Sequence, residues 1–203
     1  MISPDYIKQQ FQGVIAMLRD EEWRETLDTT EDGVFRSFWA IPLCLVVVAV
    51  SSRLAESVLR LNPELELPDL PVVFDLTLQS VIFLSIWALT LFLLVGFARQ
   101  IGAGGRVAPL IVSYNWSALL LNLLNMVFLV FASVTQALEV LVIFSLALQA
   151  FWFVMRWRLI RASLESDVGP TVGVLVIIFL ATFLVSLTIA DLGVWVHGLF
   201  AGN

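Results

Sequence analysis

The 203-residue chain holds one cysteine, one histidine and eleven basic residues against seventeen acidic ones. Each scarcity excludes something. Cys44 alone forms neither an intramolecular disulfide nor a cysteine metal cluster, and within an apolar run it reads as an inert packed thiol. His197 has no second histidine or cysteine to join it in a metal site. A formal charge of -6 with no basic patch gives nucleic acid nothing to bind. The amino-terminal stretch is amphipathic and acidic, unlike the basic and then apolar start of a cleavable signal peptide. Targeting is therefore expected to reside in the first apolar run.

What the chain has in excess is apolar side chains. Sixty per cent of its residues are hydrophobic and its mean hydropathy is +0.94, far above soluble globular proteins. The expected fold class is all-α: a polytopic membrane protein of five transmembrane helices preceded by an amphipathic cytoplasmic helix. Two regions follow, 1–34 (amphipathic helix and acidic linker) and 35–203 (the membrane domain). Ser3-Pro4-Asp5 reads as a helix start, with a cap, a proline at the first position and an acid near the positive helix end. Ile7, Phe11, Val14, Ile15 and Leu18 then recur at helical spacing. This helix is expected on the membrane surface or against the bundle. The acids from Asp20 to Asp32 disfavour anionic lipid and favour docking on protein.

The spans are expected at about 37–53, 76–98, 108–132, 137–157 and 170–196, each close to the ~20 apolar residues that cross a bilayer. Pro42 either kinks the first span or marks where its helix begins. Arg53 to Asp75, with Pro63, Pro68 and Pro71, is expected as an irregular acidic loop whose start, Ala55 to Leu61, continues as a short helix. Ser133 to Gln136 is the weakly polar break between spans three and four. Arg156, Arg158 and Arg161 end span four, with Trp152 and Trp157 at interfacial depth. Nine basic residues then fall on the amino-terminal side: Lys8, Arg19, Arg24, Arg36, Arg99, Arg106, Arg156, Arg158 and Arg161. Two, Arg53 and Arg60, fall on the other. The positive-inside bias makes the amino terminus cytoplasmic and the carboxyl terminus periplasmic.

Catalytic constellations are nearly absent. Asp191 and His197 are six residues apart, on different helix faces, and no base accompanies the serines of the spans. No enzymatic activity, metal or cofactor is expected. Asp191 stands near the outer end of the last span as a water-exposed carboxylate or an outer-end contact.

Span three is the polar one. Asn115, Asn122 and Asn125 fall within an arc of about 80° on a helix, with Tyr114 near its start. Gln149 in span four can reach this face across the hairpin. Amides facing lipid would lack partners, so the face is expected to point inward. It is either an interhelical hydrogen-bonding seam or a polar pocket or permeation path, whose uncharged amides suit a polar solute better than a proton relay.

Ile101-Gly102-Ala103-Gly104-Gly105 forms the turn after span two and leads into an apolar run with an early tyrosine, Tyr114. It is too short of lysine and strand to be a phosphate loop. With the five-span layout, this turn, Gly102, Gly104 and Gly105 included, resembles the bacterial branch of the Yip1 family of small polytopic membrane proteins. Trp116 and Ser117 stand where family members carry a small or proline-containing patch. The resemblance implies a non-enzymatic integral protein of the bacterial inner membrane. The expected function is that of an accessory or membrane-organising partner; the alternative is a small transporter or channel with a polar path along span three. Membrane lipids and another membrane protein are the expected partners, self-association is compatible with the sequence, and nucleic acid is not expected.

Overall fold

A computed structural model of the chain describes residues 2–60, 68, 70–136 and 138–201. Among these residues the regular structure is helical and no strand occurs. The helices are α1 (Pro4–Arg19), α2 (Glu31–Ser37), α3 (Ala40–Leu59), α4 (Val72–Gln100), α5 (Val107–Thr135), α6 (Leu138–Leu164) and α7 (Val168–Ala201). Five stretches are long and apolar enough to cross a membrane: α2 with α3, then α4, α5, α6 and α7. The chain is a polytopic membrane protein. Its lipid-facing surface is apolar side chain, as at Phe92 (76 % exposed) and Leu146 (68 %).

Local chemistry explains the ends. Ser3 Oγ accepts the Tyr6 N–H at 3.2 Å, Pro4 opens α1, and Asp20 closes it in the left-handed region. Thr30 caps α2 by accepting the Gly33 N–H at 3.1 Å. Pro42 lies in the first turn of α3, so it marks the start of that helix rather than a kink within it. After α4, Gly102 takes a φ of +76°, and the Ala103 N–H reaches back to the Ala98 carbonyl at 2.8 Å. That is a glycine-terminated helix end, which a side chain would strain. Gly104 to Arg106 then makes one 3-10 turn into α5.

The helices close a ring in which α3 packs on α5, α5 on α6, α6 on α7, α7 on α4, and α4 on α3. The central member is α5, which also carries α1 and α2. The apolar face of α1 lies on the bundle: Val14 and Met17 are fully buried, and the rings of Tyr6 and Phe11 meet Trp116 edge-on, both at 6.1 Å. Arg158 holds the end of α1, donating to the Leu18 carbonyl and pairing with Asp20 at 3.6 Å.

The helices run past the expected span limits. Helix α3 runs unbroken through Arg53 to Leu59, taking in most of the short helix expected from Ala55. Arg53 stays in the helix because Glu56 (2.5 Å) and Asp75 (2.7 Å) neutralise it, and Asp75 thereby ties α3 to α4. Helix α6 continues past Trp157 to Leu164, so Arg156, Arg158 and Arg161 are all helical. Helices α4, α5 and α7 likewise extend beyond the limits expected for spans two, three and five. The expected irregular segment between α3 and α4 lies largely outside the described residues, as does Ala137 between α5 and α6.

Candidate functional site

A half-open cavity of about 350 Å³ lies between α4, α5 and α6. Phe83, Ile86, Trp87 and Thr90 face it from α4, Tyr114, Ala118, Leu121, Asn122 and Asn125 from α5, and Ser145, Leu148, Gln149, Trp152 and Arg156 from α6. One end is closed. Below Tyr114 and Arg156, a buried layer of Leu91, Leu94, Ala98, Leu110, Ile160, Leu175 and Ile178 fills the bundle. Toward the other end the wall loosens, and Ser145 and Gln149 are exposed while still lining the cavity.

The structure thus brings together four of the residues singled out in the sequence: Tyr114, Asn122, Asn125 and Gln149. It separates the fifth. Asn115 is 1 % exposed and occupied on both sides, accepting from Trp87 Nε1 at 2.9 Å and donating to Ser37 Oγ at 2.9 Å. It clasps the start of the α2–α3 segment to α4 and α5 and does not line the cavity. Helical geometry gives the reason. Counting about 100° per residue, Asn125 stands within ~20° of Tyr114 around α5, whereas Asn115 is about 100° from it. The inward arc is wide enough to serve two neighbours, and the lower asparagine serves the other one.

The two upper asparagines are differently bound. Asn122 Nδ2 donates to the Ala118 carbonyl of its own helix at 2.8 Å, with Cys44 Sγ at 4.0 Å. Asn125 has no hydrogen bond within the described residues. Both are partly buried at membrane depth, where an unmet amide is costly. Gly102, Gly104 and Gly105 form the α4–α5 turn away from the cavity; Asp191 is exposed but, contrary to the expected outer-end position, lies about 15 Å before the end of α7, which continues to Ala201. The His197 ring lies against Phe74 at 5.4 Å.

The residue that sequence reasoning misplaced is Arg156. It is 5 % exposed and lies about 12 Å inside the end of α6, taking 1.5 Å per residue from Leu164. No carboxylate pairs with it among the described residues. Its guanidinium lies over the Tyr114 ring at 4.0 Å and near Trp152 at 5.6 Å. Nη1 donates to Ser117 Oγ at 3.3 Å, longer than a usual N–H···O bond, and Nε has no partner. Desolvating an ion costs several kcal/mol even after relaxation, while aromatic faces return about 2 kcal/mol. The buried cation is under-compensated by the protein. A periodicity signal for this was present: Trp152, Met155, Arg156, Leu159, Ile160 and Ser163 recur at helical spacing, and all but Trp152 are fully buried.

A second cluster fixes α1 outside the spans. Tyr6 Oη donates to Asp28 Oδ2 at 3.1 Å, while Asp28 Oδ1 accepts from Thr30 Oγ1 at 2.6 Å. Burial, with the Asp28 charge and hydrogen bond, pushes the Tyr6 phenol up to about 12. Burial also pushes Asp28 upward, but the bonds from Thr30 and Tyr6 and the nearby Arg36 outweigh it, and the carboxyl lies below its ordinary value.

Comparison of the chain with protein-family models, with curated proteins and with solved structures finds no match.

Proposed function

We propose that this membrane protein is a small transporter that takes a polar molecule into the cavity between α4, α5 and α6. The observation that carries the reading is the convergence of Tyr114, Asn122, Asn125, Gln149 and Arg156 on one cavity at membrane depth. Intramembrane polar groups are expensive and are kept where they meet a partner or a ligand. Asn125 and Gln149 have no protein partner among the described residues. The closed lower end favours a carrier, loaded from one side, over an open channel.

The accessory-partner reading draws on the amphipathic amino-terminal helix and the acidic linker that follows it. That helix turns its apolar face onto α5 and α6, which leaves a partner only the polar one. The same proposal puts the amino terminus in the cytoplasm and the carboxyl terminus in the periplasm of a bacterial inner membrane. With Arg156 removed from the count as buried, basic side chains still gather at the α1 end, against Arg53 and Arg60 at the other. The resemblance to the Yip1 family, resting on the five-span layout and the turn at Gly102, belongs to this proposal as well.

The test combines access and flux. In a Cys44→Ser background, a thiol placed by Asn125→Cys is expected to react with a charged, impermeant thiol reagent from one side of proteoliposomes. Asn122→Leu is expected to slow passage of polar solutes without unfolding the protein. An unreactive thiol in folded protein, together with no flux for any solute class, removes the reading.

A further inference from the structure

Arg156 fixes the sign of what the cavity holds. Among the described residues, no aspartate or glutamate lines the cavity, so the guanidinium is its only full charge. A cationic ligand would meet that charge unscreened at low dielectric and be repelled. A neutral one could accept from some of its N–H groups but would leave the charge itself unpaired. An oxyanion would supply what the protein does not, because a guanidinium matches carboxylate and phosphate oxygens with two parallel N–H donors. The protein gives Arg156 one long hydrogen bond, to Ser117, so most of its donors are unused.

The walls add a second property. Phe83, Ile86, Leu121, Leu148 and Trp152 make the lining largely apolar above the cation. Ser145 and Gln149, the exposed residues of the lining, stand about 10 and 16 Å along α6, so the way in from the loose end of the cavity runs past apolar walls. An occupant entering there carries apolar surface of its own. Small inorganic ions fit the charge but not the walls.

We infer that the cavity binds the oxyanion of an anionic amphiphile, with Arg156 as its charge partner. The inference rests on the reading of the cavity as a ligand site and names the ligand class. An anionic membrane lipid and a free fatty-acid-like anion share this chemistry, and the test separates them.

Full-length protein in neutral detergent is titrated with three probes, and its thermal unfolding is followed. The probes are dihexanoyl phosphatidylglycerol, octanoate, and mono-octanoylglycerol, the neutral ester of the same chain. A ligand that binds only the folded state raises the unfolding temperature in a concentration-dependent way. Stabilisation by phosphatidylglycerol alone identifies a lipid source, by octanoate alone a free anion, and by both a site for either. Mono-octanoylglycerol is expected to have no such effect. Arg156→Gln is expected to weaken anion binding about tenfold or more, as loss of one charge-assisted bond implies. Arg156→Lys is expected to retain part of it, and exposed Arg158→Gln all of it.

If Arg156→Gln fails to fold, wild-type protein released from micelles in a mass spectrometer decides. It is expected to carry the anionic probe and not the neutral one; equal or absent adducts overturn the inference. Equal stabilisation by octanoate and its neutral ester, unchanged in Arg156→Gln, overturns the anion class and leaves a ligand cavity standing. No binding of any probe, with an unreactive Asn125→Cys thiol, overturns the cavity reading itself.

Discussion

Replacing Asn115 and Asn122 separately by leucine should give opposite results, although the two are seven residues apart on one helix. Asn115→Leu removes both bonds of the clasp, to Trp87 Nε1 and Ser37 Oγ, each 2.9 Å long. Interhelical hydrogen bonds in membranes are worth about 0.6 kcal/mol on average and up to ~1.7. Two of them give roughly 1–3 kcal/mol. The half-buried indole N–H left behind adds part of an unsatisfied-donor penalty of about 1–3 kcal/mol. Leucine is close in size to asparagine, so the cavity term is small, and the total is about 2–4 kcal/mol. Asn122→Leu breaks only a bond to the Ala118 carbonyl in the same helix, and its expected cost is below about 0.5 kcal/mol. Equilibrium unfolding in mixed micelles, over a range of denaturing detergent, measures both. A harmless Asn115→Leu, or an Asn122→Leu that costs more, would refute the division of the amide face into clasp and cavity.

Three further outcomes are expected. A Cβ at Gly33 would stand 2.2 Å from the Asp28 carbonyl oxygen, so Gly33→Ala should force α2 off the preceding turn at about 1–3 kcal/mol, seen as faster proteolysis between α1 and α2. Asp28 has a lowered folded pKa, so its stabilisation of α1 is complete above the ordinary carboxyl value of 3.8 and is lost as pH falls through the lower folded value. Amide exchange in α1 should therefore accelerate in that acid range, and Asp28→Asn should remove the pH dependence. Gly102→Ala should cost about 1–2 kcal/mol because its φ of +76° disfavours a side chain, whereas Gly105→Ala, with nothing within 4 Å of a new Cβ, should be nearly neutral by thermal unfolding.

The spans and the first helix were legible because both rest on local pattern. Apolar runs and the Ser3-Pro4-Asp5 cap need no knowledge of distant residues. The inward turn of the amides also follows from hydrogen-bond accounting alone. What stayed hidden depends on partners far along the chain. Asn115 belongs to a clasp because Ser37, 78 residues earlier, folds beneath it. Helix α3 passes Arg53 because Asp75, 22 residues later, neutralises the charge. Arg156 was assigned to a helix end because arginines near a span usually mark one. Its neighbours told otherwise: Met155, Leu159 and Ile160 share its face and are buried, while Arg158 and Arg161 point away and are exposed.

The most direct measurement is a density map of the protein in lipid nanodiscs, taken at a resolution that shows side chains. Non-protein density is expected between α4, α5 and α6, ending within hydrogen-bond distance of the Arg156 guanidinium and extending past Asn122 and Asn125 toward Gln149. A collapsed interface, with α4 and α6 closed on each other and Arg156 paired to a carboxylate of the chain, would contradict the account.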